Sequence, residues 1–117
     1  MTIEQCYEEM GGSFSEVSAR LPSARLIEKF VRKFPEDPSY EQLRRALADD
    51  CLEDAFRAAH TLKGVAANLS FACLRQSAST LTELLRHAQA IPTGADAMFA
   101  DVTREYHRVL EAIAKLD

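Results

Sequence analysis

The chain has 117 residues, 47% of them hydrophobic, enough for one core and too few for a second of similar size. A formal charge of −4 argues against a general nucleic-acid binder, because phosphate contacts need a basic surface. No stretch approaches the roughly 20 apolar residues of a membrane span, and the opening MTIEQCYEEMGG lacks a basic region followed by an apolar run, so a cytoplasmic location is expected.

Cys6, Cys51 and Cys73 are odd in number, widely spaced and without a C-x-x-C pair, which leaves them as buried small apolar thiols. Residues 1–117 are read as one domain.

Every segment follows the helical period, with no run of alternating β-branched residues of strand length. Thr2 is placed to cap a short first helix ending at Gly11-Gly12, and Ser13 or Ser15 to start a second short one reaching Pro22. Ser23 is expected to cap ARLIEKFVRKF, whose Leu26, Ile27, Phe30, Val31 and Phe34 form one apolar stripe that Pro35 ends. After the turn EDPS, Ser39 caps YEQLRRAL, with Tyr40, Leu43, Ala46 and Leu47 inward.

Asp49 or Asp50 is the expected cap of the next helix, which runs to about Asn68 or Leu69. Ser70 then caps FACLRQSASTLTELLRHAQAI, where Leu74, Ala78, Leu81, Leu84 or Leu85, and Ala88 recur at three and four. The Pro92-Thr93-Gly94 turn leads into ADAMFADVTREYHRVLEAIAKL, with Met98, Val102, Tyr106, Val109 and Ile113 on one face. Short connections make antiparallel neighbours, so the fold expected is all-α: an antiparallel up-and-down four-helix bundle with short additional N-terminal helices. The three long C-terminal helices and the Ser23 helix are its expected core, with the N-terminal segments over one end.

Within AFRAAHTLKGVAANLS the spacing says which way each side chain faces, since residues advance about 100° around a helix. With Leu52 at zero, Ala55, Ala59, Leu62, Ala66 and Leu69 fall between about −20° and about −100°, the core-facing arc. His60 falls at about +80°, with Phe56 at about +40°, Ala67 at about +60°, Gly64 at about +120° and Lys63 at about +20°.

His60 therefore points to the rim. Gly64 costs a helix interior about 1 kcal/mol relative to alanine, so its missing side chain is read as the useful feature, forming with Ala67 a low patch beside the ring. Lys63, a surface cation on its own, stands within one turn and suits a phosphate. Phe56 is either an edge contact of the patch or a core residue. A neutral imidazole near its pKa of about 6.5 keeps a nucleophilic lone pair, so the combination has what a phosphoryl acceptor needs.

On AHTLKGVAANLS, with its His-x-x-Lys-Gly core followed by small residues, the chain resembles the histidine-containing phosphotransfer (Hpt) domain of bacterial phosphorelays. The resemblance implies a small helical bundle in which His60 is phosphorylated on Nε2, Lys63 helps neutralise the phosphoryl group and Gly64 leaves room for the partner. It further implies a response-regulator receiver domain as partner, in some systems with a histidine kinase, and magnesium carried by the receiver. A monomeric phosphocarrier rather than a turnover enzyme is expected, with no cofactor, metal, nucleic acid or membrane of its own.

Two positions depart from the family pattern. Ser70 stands where the family usually has glycine at the turn, and Thr82 where it often has Glu or Gln bonded to the ring's other nitrogen. Either Thr82 acts through water, or neighbouring Glu83 takes over, or the ring is held less firmly.

No G-x-x-x-x-G-K-[ST] or G-x-G-x-x-G loop is present, so neither ATP binding nor kinase activity is expected. Competing readings are a non-catalytic helical interaction or scaffold module and, less favoured because His87 and His107 lack paired Glu-x-x-His partners, a metal-binding bundle. A nearer alternative is a phosphotransfer module like the N-terminal domain of chemotaxis kinases.

Overall fold

The computed structural model describes residues 1–117 as seven α-helices: α1 (Ile3–Met10), α2 (Phe14–Arg20), α3 (Ala24–Lys33), α4 (Ser39–Ala48), α5 (Leu52–Asn68), α6 (Ala72–Leu85) and α7 (Ala95–Ala114). A 3-10 turn, Phe34–Glu36, follows α3 through Pro35. The four-helix bundle is α4 to α7, packed in chain order, with α1 laid along α7. This corrects the expected membership: the fourth helix of the bundle is the Ser39 helix. The Ser23 helix, α3, buries Ile27 and Val31 but has α2 and the 3-10 turn as its principal neighbours.

A stack of rings closes α4 onto α7. Tyr40 lies 4.0 Å from Tyr106 and 5.6 Å from Phe99, nearly parallel to both, and its hydroxyl pairs with the Thr103 hydroxyl at 2.9 Å. The inward faces of α5 and α6, including Ala55, Ala59, Leu62, Ala66, Leu74, Ala78, Leu81 and Leu85, are all buried. Alanine predominates on the α5 face, so neighbouring helices have small side chains to pack over.

The N-terminal helices fasten the corner between α5 and α6. Gly11 ends α1 with φ 70°, and its carbonyl accepts from the Cys73 amide at 3.0 Å. The Ser13 amide donates to the Ser70 carbonyl at 2.9 Å and the Tyr7 hydroxyl to the Leu69 carbonyl at 2.7 Å. Arg20, at the end of α2, donates to the carbonyls of Ala67 at 2.9 Å and Asn68 at 3.0 Å, and to the Ser70 hydroxyl. These bonds satisfy carbonyls that the end of a helix leaves without partners.

Several boundaries differ from the expected ones. Thr2, Ser13 and Ser23 cap their helices as expected, and the Thr2 amide donates in return to the Gln5 side-chain oxygen. Ser39, however, is the first residue of α4 rather than its cap, and its amide donates to the Asp37 carboxylate at 3.1 Å. Cys51 rather than Asp49 or Asp50 precedes α5, and Phe71 rather than Ser70 precedes α6.

Asp50 and Ser70 instead take left-handed backbones, each with φ 56°, and turn the chain before the next helix. His87, φ 61°, does the same after Leu85, so α6 stops well short of Ile91. Among the expected inward residues, Leu26, Leu47, Leu69, Leu84, Ala88 and Met98 are only half-buried, and Phe30 is exposed at 42%. Cys6 is fully buried, whereas Cys51 and Cys73 are half-buried.

Candidate functional site

Glu53 and Asp54 occupy the first turn of α5, where carboxylates favour the positive end of the helix dipole, and the helix continues without a break through Gly64. His60 is exposed in the middle of this helix, facing away from Ala59 and Leu62, which are both fully buried. Gly64 is exposed one turn further on, and a Cβ placed there would meet nothing within 4 Å. Alanine would therefore fit, and no internal packing requires the glycine.

Lys63 and Ala67 are half-buried beside this open patch. Phe56 is also half-buried, one turn before the histidine, with 6.0 Å between the two ring centroids. The five α5 residues singled out from the sequence thus come together on one face.

Thr82 does not join them. It is fully buried, and its hydroxyl donates to the Ala78 carbonyl of its own helix at 2.7 Å. Glu83 does not take its place, because its carboxylate is engaged by Arg86, with Nε at 3.3 and 3.2 Å from the two oxygens and Nη2 at 3.1 Å from one. That bond chiefly, together with the charges of Arg86, Lys63 and His87, holds the Glu83 carboxyl below the usual range. Neither α6 side chain thus supplies the ring with the expected partner.

Arg86 was not among the residues singled out from the sequence. Its guanidinium carbon lies 5.2 Å from the centroid of the Phe56 ring. With Glu53, Phe56, Arg57, His60 and Thr61 it lines an open recess of about 420 Å³. A larger groove, about 670 Å³, excludes His60 and lies beyond Gly64, where Leu21, Phe30, Phe34, Val65 and Leu69 form its apolar lining. His87 and His107 are both exposed, and no three His, Cys, Asp or Glu side chains converge as metal ligands would.

The exposed ring, the open space over Gly64 and the helical frame agree with one family. The family model for the Hpt domain matches residues 25–116. The chain belongs to the Hpt family. Hpt domains serve phosphotransfer in phosphorelays, working with response regulators and kinases, and that general role comes with membership. The match covers α4 to α7 and nearly all of α3, while α1 and α2 precede it. No curated protein and no solved structure is significantly similar to this Hpt chain. None of its helices is long and apolar enough to cross a membrane.

Proposed function

We propose that His60 is the phosphoacceptor of this Hpt domain, exchanging a phosphoryl group with the aspartate of a receiver domain. The observation that carries the reading is the exposed His60 ring beside the empty space over Gly64. An in-line transfer needs an approach free of side chains, and here a helix accepts the cost of an interior glycine that its own packing does not demand.

In the forward step the His60 Nε2 lone pair forms a bond to phosphorus as the bond from phosphorus to the aspartyl oxygen breaks. The receiver recovers its carboxylate, and the ring keeps the proton on its other nitrogen until solvent removes it. The return step reverses each movement. Lys63 offsets charge on the phosphoryl oxygens, and Ala67 and Phe56 belong to the rim on which the receiver docks. The magnesium of the exchange is the receiver's. The protein is then a cytoplasmic, monomeric carrier that turns over no ATP, charged by a kinase through its receiver.

The purified chain and His60→Gln are to be incubated with phosphoramidate at neutral to mildly alkaline pH and followed by intact mass and peptide mapping. The N–P bond of the donor breaks as the His60 N–P bond forms, releasing ammonia. A single acid-labile phosphate on His60, absent in the variant, is the expected result. A native protein that stays unmodified, both here and with phosphorylated receivers, overturns the reading in favour of a scaffold bundle.

A further inference from the structure

Arg86 has two neighbours of opposite character. The exposed Glu83 carboxylate holds its guanidinium through three bonds of 3.1 to 3.3 Å. The face of Phe56 lies 5.2 Å from the guanidinium carbon, and the same ring neighbours His60 at 6.0 Å. Arg86 sits where α6 ends, its amide still bonded to the Thr82 carbonyl at 2.9 Å, and left-handed His87 turns the chain immediately afterwards. The backbone beneath it is thereby defined, while the end of its side chain opens on the recess it shares with His60.

Ion pairs of this spacing recur on the surface, for example Glu41–Arg44 and Asp101–Arg104. Two features set Glu83–Arg86 apart: the stack on Phe56 and the recess shared with His60. Arg57 lines the recess too, but Glu53 and Asp54 both engage it, and it is 66% exposed.

We propose that the Glu83–Arg86 pair is an exchangeable clamp: when His60 carries a phosphoryl group, Arg86 leaves Glu83 and binds the phosphoryl oxygens, with Phe56 as the surface on which its guanidinium turns. The inference rests on reading His60 as the phosphoacceptor. A solvent-exposed carboxylate is a weak holder of a cation, whereas a phosphoryl group presents more charge and matches the planar fork of arginine with two parallel bonds. Stacking on Phe56 constrains the guanidinium during the exchange, so the exchange needs a change of side-chain torsion rather than of backbone. Glu83 is thus a positioning residue that restrains Arg86 until the phosphoryl group arrives.

The test uses the full chain, phosphoramidate as donor, and the variants Glu83→Gln, Arg86→Gln, Arg86→Lys and Glu83→Gln/Arg86→Gln, with thermal melts as the folding control. Releasing Arg86 by Glu83→Gln is expected to raise the His60 phosphorylation rate and lengthen the phosphohistidine lifetime by about two- to fivefold, the range of an exposed ion pair. Arg86→Gln lowers both by a similar factor, Arg86→Lys recovers part of the loss, and the double variant matches Arg86→Gln.

In the native protein the Arg86 Nε–H resonance, assigned by its loss in Arg86→Lys, is expected to shift when His60 is phosphorylated. The clamp is overturned if the native protein is phosphorylated on His60 while Arg86→Gln behaves like native, or if Glu83→Gln slows the reaction as Arg86→Gln does. A native protein that takes no phosphate on His60, either from phosphoramidate or from phosphorylated receivers, overturns the acceptor reading together with the clamp, and the mass measurement tells that result from the others.

Discussion

The Thr82 hydroxyl donates to the Ala78 carbonyl at 2.7 Å, so the side chain at the family's usual ring-holding position is turned into its own helix. Ala78 already has a helical partner for its carbonyl, and a methyl group fits the space that the hydroxyl fills. Thr82→Val is therefore expected to change stability by less than about 1 kcal/mol and to leave the rate of His60 phosphorylation by phosphoramidate unchanged. Urea unfolding and the mass-based rate check the two halves separately. A slowed reaction in a fully folded variant would return Thr82 to the site.

Gly64 stands on an interior turn of α5 with free space where a Cβ would go. Gly64→Ala should stabilise the protein by up to about 1 kcal/mol. It should slow transfer from a phosphorylated receiver more than transfer from phosphoramidate, since only the larger partner needs the cleared surface. Parallel denaturation curves and transfer assays decide this. Lower stability with unchanged transfer contradicts the open-patch argument.

Ser70 combines a left-handed backbone, φ 56°, with a hydroxyl bonded to Arg20. Replacing it by alanine or by glycine removes the hydroxyl in both cases, but only glycine relieves the backbone. Ser70→Gly is accordingly expected to be more stable than Ser70→Ala by about 1 kcal/mol. The difference in urea midpoint at equal slope measures it. Equal midpoints would show that the left-handed turn carries no strain.

The Cys6 thiol is pushed up by burial, with a smaller contribution from the Glu9 charge, from an ordinary 9.0 to about 11. Below pH 9 the thiol is protonated in both folded and unfolded chains and contributes no pH dependence. Between pH 9.0 and about 11 the unfolded chain releases this proton while the folded chain keeps it, so stability falls with rising pH across that window. The fall is about 3 kcal/mol at most. Burial also raises the Tyr7 hydroxyl beside it, which adds in the same direction at the upper end. Cys6→Ala should reduce the slope of unfolding free energy against pH in this range. An unchanged slope would assign the alkaline loss to Tyr7 and Tyr106, whose hydroxyls burial also raises.

Much of this was legible because helices punctuate themselves chemically. Thr2, Ser13, Ser23, Gly11 and the prolines mark ends through side-chain bonds or fixed dihedrals that depend only on local sequence. The face of α5 bearing Phe56, His60, Lys63, Gly64 and Ala67 could be read for the same reason, since one period governs a single helix. The left-handed residues Asp50, Ser70 and His87 were not legible, because none is glycine and each is held by what the chain does next. The strong stripe of α3 did not show that α4 would be the fourth helix of the bundle, because amphipathicity states that a face is buried and not against what.

For Thr82 the local signal was weak: it lies about 40° from Ala78 around α6, on the far side from Leu81 and Leu85 and so at the edge of the apolar arc. The stack of Arg86 on Phe56 joins two helices, and no pattern within either one announces it.

The ring stack that closes α4 on α7 also equips the protein with its own optical reporter. The chain has no tryptophan and three tyrosines, Tyr7, Tyr40 and Tyr106, all of them buried and outside the recess around His60. Tyrosine emission and near-ultraviolet dichroism therefore follow the parting of Tyr40 from Tyr106 and of Tyr7 from Leu69, the two places where the bundle and its N-terminal fastening come undone. Substitutions at Gly64, Lys63 or Arg86 leave these chromophores in place, so folding can be followed without a label while the chemistry of the exposed face is altered.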